Sequence, residues 1–222
     1  MRMQTSSPHG SHAAMRKRGD EASARKAWRR GLASAPSPEL AALLGASLAE
    51  NHIAQGTDLL QAAVLAEPGR ASWRVDLGDA YARAGRGADA RRQYAAALEL
   101  EPGLGRAHNN LGLLLAKSGL KAEALVHYRA ALRDPAVRAE AHYNRGNAHL
   151  EEGGVRDAER HYRRALDLAP GFTRARINLG NILARRGAFR EAAALYRAAL
   201  KADPLSLEAR ANLGAVAPFL RK

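Results

Sequence analysis

Asn110, Asn144, Asn178 and Asn212 recur at a constant interval of 34 residues. A side-chain amide carries two N–H donors and an oxygen acceptor, so an evenly pitched row can pair with an extended polypeptide backbone without reading its side chains. Asn147 and Asn181 stand three residues after two of these positions, with Asp79 and Leu113 at the matching places, and form a second rank. Charged side chains flank the row: Ser72, Arg106, Glu140, Arg174 and Glu208 at one position, Arg83, Lys117, Glu151 and Arg185 at another. Their sign is mixed. A polynucleotide groove is more uniformly basic, because affinity grows with the number of phosphates neutralised, and this weighs against nucleic acid along the row. The candidate contacts are Asn110, Asn144, Asn178, Asn212, Asn147, Asn181, Arg106, Lys117, Arg174 and Arg185.

Other chemistries have less to stand on. His108 and His142 share one place in the 34-residue unit, and His127 and His161 share another, so their spacing reflects the period. His149 lies two turns after His142 with no evident carboxylate partner, and His9 and His12 fall in a polar stretch without a third ligand; neither pair makes a metal site. The sequence has no phosphate loop, nucleophile elbow or paired catalytic carboxylates. With no cysteine in the chain, disulfides, thiolate metal sites and cysteine nucleophiles are excluded. The expectation is a protein that is not an enzyme and needs no cofactor.

The elements that carry the asparagines come from the repeating unit, clearest at 173–206. Asn178, Leu179, Gly180 and Leu183 mark a first helix, Gly187 a turn, Ala192, Tyr196, Ala199 and Leu200 a second helix, and Pro204 its end. The same classes recur through Gly146, Gly153, Ala158, Tyr162, Ala165 and Pro170, through Gly112, Gly119, Ala124, Tyr128 and Ala131, and through Gly78, Gly85, Ala90, Tyr94, Ala97 and Pro102. Pro135 arrives one residue early. Glycine inside a helix costs about 0.5–1 kcal/mol relative to alanine, so Gly78, Gly112, Gly146, Gly180 and Gly214 need an offsetting gain. The expected gain is close approach of the second helix through its small residues Ala90, Ala124, Ala158 and Ala192.

This period and pattern resemble the tetratricopeptide repeat family, in the style of the repeats of protein O-linked N-acetylglucosamine transferases. The resemblance implies an all-α fold, a right-handed α-solenoid of antiparallel helix pairs whose first helices line the concave face. It implies an adaptor or scaffold that binds another protein, as an extended peptide or a helix, with the asparagine row as a peptide-holding ladder. The basic clamp by which some members hold chaperone tails is incomplete, since Tyr143 and Ile177 stand where it needs cations. Two other readings stay open: the substrate-recognition arm of a glycosyltransferase whose catalytic domain lies elsewhere, and binding of nucleic acid or an anionic surface through the basic N-terminal segment.

In order, the expected organisation is a disordered leader at 1–12, a basic half-repeat at 13–37 and a degenerate repeat at 38–70. Repeats follow at 71–104, 105–138, 139–172 and 173–206, with a capping helix at 207–222. In the half-repeat, Gly19 takes the turn position and Trp28 the core position that tyrosine holds later. Arg145 replaces the leucine of Leu77, Leu111, Leu179 and Leu213, so either its stem packs with the guanidinium in solvent or a carboxylate pairs with it.

Charge is concentrated at the start. The chain has 35 Lys and Arg against 22 Asp and Glu, a net of +13. Eight of those cations (Arg2, Arg16, Lys17, Arg18, Arg25, Lys26, Arg29 and Arg30) face only Asp20 and Glu21 within residues 1–36. No stretch reaches the roughly 18–20 apolar residues of a membrane span, and the N-terminus lacks a signal-peptide core; a cytoplasmic location is expected. Should Phe219 and Leu220 not fold back, apolar surface at the terminal repeat would favour a homodimer.

Overall fold

A computed structural model describes residues 21–220. The leader at 1–12 with His9 and His12, the cations up to Arg18, the turn glycine Gly19 and the end of the capping segment at 221–222 lie outside the described residues. Among the described residues every regular element is helical. The helices are α1 (Glu21–Ser34), α2 (Pro38–Leu48), α3 (Ile53–Ala66), α4 (Ala71–Arg83), α5 (Gly87–Leu100), α6 (Gly105–Lys117), α7 (Lys121–Ala131), α8 (Arg138–Glu151), α9 (Val155–Leu168), α10 (Thr173–Arg185), α11 (Phe189–Ala202) and α12 (Leu207–Val216). A short 3-10 helix follows at Ala217–Leu220. None is long and apolar enough to cross a membrane.

Two compact units divide the chain, Met1–Pro102 and Gly103–Lys222. In the first, α2 packs on α3 and α4 on α5, while α1 rests on α2, α3 on α4 and α2 on α4. In the second, α6 pairs with α7, α8 with α9 and α10 with α11, and each second helix also packs on the first helix of the next pair. Each unit is thus a series of helical hairpins in which a hairpin touches its neighbours, the arrangement of an α-solenoid.

Local sequence explains where the helices turn. Gly85, Gly119, Gly153 and Gly187 follow the first helices with φ between 74° and 81°, a left-handed conformation in which a Cβ would be strained. Ser37 caps α2, its hydroxyl accepting from the Leu40 N–H at 3.2 Å, and Ser206 does the same for α12 through the Ala209 N–H at 3.3 Å; each satisfies an amide that the helix leaves unpaired.

The mid-helix glycines face the second helix of their own hairpin, and its tyrosine more than its alanines. A Cβ at Gly78, Gly112, Gly146 or Gly180 would stand 2.5–2.8 Å from Cε1 of Tyr94, Tyr128, Tyr162 or Tyr196. The second helix therefore approaches closely chiefly through its aromatic ring, with the Ala124 carbonyl oxygen also 3.2 Å from the would-be Cβ of Gly112. The four tyrosines are almost wholly buried, and burying such a ring offsets a glycine's cost severalfold. Gly214 has nothing within 4 Å of its would-be Cβ, because no second helix follows α12 among the described residues. In the degenerate repeat the close approach is real but glycine to backbone: a Cβ on Gly56 would meet the Ala49 N at 2.4 Å.

Trp28 takes its core place with Leu44 and Leu48. At the other end the 3-10 turn folds back, the Phe219 ring stacking on Phe189 with centroids 4.3 Å apart, and Leu220 packs against the core. Glu159 is buried between Arg163 at 2.5 Å and Arg186 at 3.1 Å, so α9 and the end of α10 share a charged clasp.

Candidate peptide-binding face

All ten candidate residues fall on first helices of the second unit: Arg106, Asn110 and Lys117 on α6, Asn144 and Asn147 on α8, Arg174, Asn178, Asn181 and Arg185 on α10, and Asn212 on α12. Spacings of four, seven and eleven residues keep them on one side of each helix. The charged members are exposed and the asparagines half-buried.

The asparagines form rungs between repeats. Asn178 Nδ2 donates to Asn147 Oδ1 at 3.1 Å, and Asn212 Nδ2 donates to Asn181 Oδ1 at 2.8 Å. The same acceptors receive the core phenols, Tyr162 to Asn147 at 2.7 Å and Tyr196 to Asn181 at 2.8 Å. Burial pushes Tyr162 up to about 12 and raises Tyr196 as well, so both remain protonated donors. Each rung thus joins a second-helix ring, its own first helix and the next first helix. Asn147 and Asn181 are its hubs.

One rung uses a residue that the spacing does not reveal. Leu113 holds the hub position on α6 and cannot accept, and Asn144 Nδ2 donates instead to Asn109 Oδ1 at 3.0 Å. Asn109 is buried, one turn before Leu113, and its own Nδ2 reaches Asn110 Oδ1 at 3.3 Å. The only sequence signal was the adjacent Asn109–Asn110 pair.

The Nδ2 atoms of Asn144, Asn178 and Asn212 are therefore engaged within the fold, while their Oδ1 atoms receive no hydrogen bond from the described residues. Those oxygens are acceptors on a semi-exposed face. Asn181, Arg185, Tyr196, Glu208 and Asn212 also line one cleft of about 320 Å³ between α10 and α12, which brings together three of the predicted residues. Arg174 is held over the Tyr143 ring at 5.2 Å, and Tyr143 itself packs on Phe172 with centroids 4.9 Å apart. The position where a carboxylate clamp needs a cation is filled by that aromatic stack.

The histidines pair across hairpins. His108 and His127 approach through their Nδ1 atoms at 2.9 Å, as do His142 and His161. His149 lies parallel to His161, centroids 5.4 Å apart. Among the described residues no three metal-ligating side chains converge. Arg145 is half-buried beside them; its Nε is buried without a partner, and among the described residues no carboxylate forms an ion pair with it. Burial, Arg145, His142, His149 and Arg160 together hold His161 at about 4, below the usual 6.5. The folded state refuses a proton that the unfolded chain accepts. Its stabilising contribution is complete above about pH 6.5 and is lost as pH falls towards 4. Across that window the second unit should lose about 2 kcal/mol more than an His161→Asn variant does, measured by urea unfolding at a series of pH values.

The tetratricopeptide repeat model matches residues 46–104, 75–139, 110–171, 143–206 and 177–217. None of the curated proteins compared matches the chain. Among solved structures it is similar to the Cut9–Hcn1 hetero-tetramer of the APC/C, with a TM-score of 0.83 and 15% identity over 93% of this chain and 41% of that one. It is similar to pilF of Pseudomonas aeruginosa, with a TM-score of 0.71 and 17% identity over 83% and 90%. It is also similar to YrrB, described as a TPR protein with an unusual peptide-binding site, with a TM-score of 0.57 and 18% identity over 83% and 96%. At these identities the likeness is one of fold.

Proposed function

The chain belongs to the tetratricopeptide repeat family, and from that premise we propose that its second unit is a non-catalytic scaffold holding an extended segment of another protein against the asparagine-bearing face. The observation that carries this reading is the division of labour within each ladder amide. The Nδ2 donor is anchored to the preceding repeat, which fixes the plane of the amide and leaves Oδ1 to accept from a ligand. A row of fixed acceptors suits backbone N–H groups of a ligand, and fixing them in advance lowers the entropy lost on binding. The peptide-binding site described for YrrB lends the reading support by analogy of fold.

The test is the triple variant Asn144→Ala, Asn178→Ala and Asn212→Ala. Because each amide also closes a rung, stability should fall by about 1 kcal/mol per site while helicity is kept. Affinity for a bound peptide should fall at least tenfold in fluorescence anisotropy. N-methylation of the peptide's backbone amides should weaken binding comparably, because it removes the donors that the oxygens need. Undiminished binding in both experiments would refute a role for the ladder.

A further inference from the structure

The charges beside the ladder change sign from one repeat to the next, and both flanking positions of a helix agree. On α6 they are Arg106 and Lys117, on α8 Glu140 and Glu151, on α10 Arg174 and Arg185, and on α12 Glu208. All seven are exposed. Several lie demonstrably at the ladder: Arg185 and Glu208 line the cleft with Asn181 and Asn212, and Glu151 acts electrostatically on both Tyr128 and Tyr162. The face is therefore banded positive, negative, positive, negative, with the row of amide oxygens running across the bands. Glu151 also meets Lys121 at 3.2 Å, where its side chain remains more than half exposed.

Neighbouring first helices in this unit are joined by the rungs, and packed helices stand about 8–10 Å apart. A chain in the extended polyproline-II conformation advances about 3.1 Å per residue with three residues per turn, so every third side chain points the same way. One band is thus crossed in about three residues. We infer that the face selects an extended segment whose acidic and basic side chains alternate at about every third residue, acidic opposite α6 and α10, basic opposite α8 and α12. This rests on the peptide-binding reading above and adds its side-chain specificity. The ladder accepts from any backbone, so discrimination must come from the bands. A segment with its charges gathered into blocks would set like charge against like over half its length, which favours rejection as well as selection. Attraction between adjacent bands within the stack would raise stability but would not distinguish two ligands of equal composition.

Two synthetic peptides of about twelve residues and identical composition make the test, one with Glu and Lys alternating at every third residue and one with the Glu and Lys gathered into separate blocks. Anisotropy at low salt should show the alternating peptide bound about tenfold more tightly. That preference should shrink as salt shortens the screening length. The Glu140→Lys/Glu151→Lys variant should erase it and improve binding of the blocked peptide, with circular dichroism confirming the fold. Glu140→Gln/Glu151→Gln, which introduces no repulsion within the stack, should reduce the preference part of the way. Equal binding of both peptides to the unaltered protein, or a preference that survives charge reversal, overturns the inference while leaving the ladder intact. Failure of both peptides to bind overturns the peptide-binding reading and the inference with it.

Discussion

Replacing Tyr162 by alanine is expected to destabilise the second unit by about 3–5 kcal/mol, the range for removing a buried aromatic ring. The ring is 0% exposed, and a Cβ on Gly146 would lie 2.7 Å from its Cε1. A glycine has no side chain to move into the void, so the cavity stays open. The loss also reaches the next repeat, because the phenol donates to Asn147 Oδ1, which Asn178 shares. Tyr162→Phe keeps the ring and should cost only about 1 kcal/mol. Urea unfolding followed by circular dichroism separates the two contributions: equal losses for both variants would assign the effect to the hydroxyl and refute the packing account.

Gly56→Ala should be the most damaging small change in the first unit, at about 3 kcal/mol, the upper end for an overpacked contact. Within a helix this substitution normally gains up to about 1 kcal/mol. Here the added methyl would stand 2.4 Å from the Ala49 N and 2.7 Å from the Gly45 carbonyl oxygen. Backbone atoms cannot rotate aside, so α2 and α3 must separate. Gly214→Ala is the matching control: with nothing within 4 Å it should stabilise α12 by about 0.5–1 kcal/mol. A lower thermal midpoint for the first variant and an unchanged or higher one for the second is the expected pair of results. The reverse order would remove the steric reading of both glycines.

Helical hairpins, their turn glycines and the tyrosine core were legible in the residue order because each follows from local chemistry repeated at a fixed interval. A left-handed turn needs Gly153 wherever it occurs, and a helix ending near Pro170 needs no tertiary information. The recurrence of Asn144, Asn178 and Asn212 on one side of successive first helices was legible for the same reason. What those amides touch was not. Only the stacking of hairpins puts Asn178 beside Asn147 and under Tyr162, which makes the second rank of asparagines the hubs of the rungs. It also recruited Asn109 where Leu113 broke the pattern, and it set Tyr162 over Gly146, where residue classes alone had suggested alanine. It joined His142 to His161 across a hairpin and left the Arg145 Nε without a partner. Periodicity records which side chains share a face, since that depends on the rotation per residue along one helix. Which atoms meet across helices depends on the separation and tilt of two such faces, and these are settled by packing.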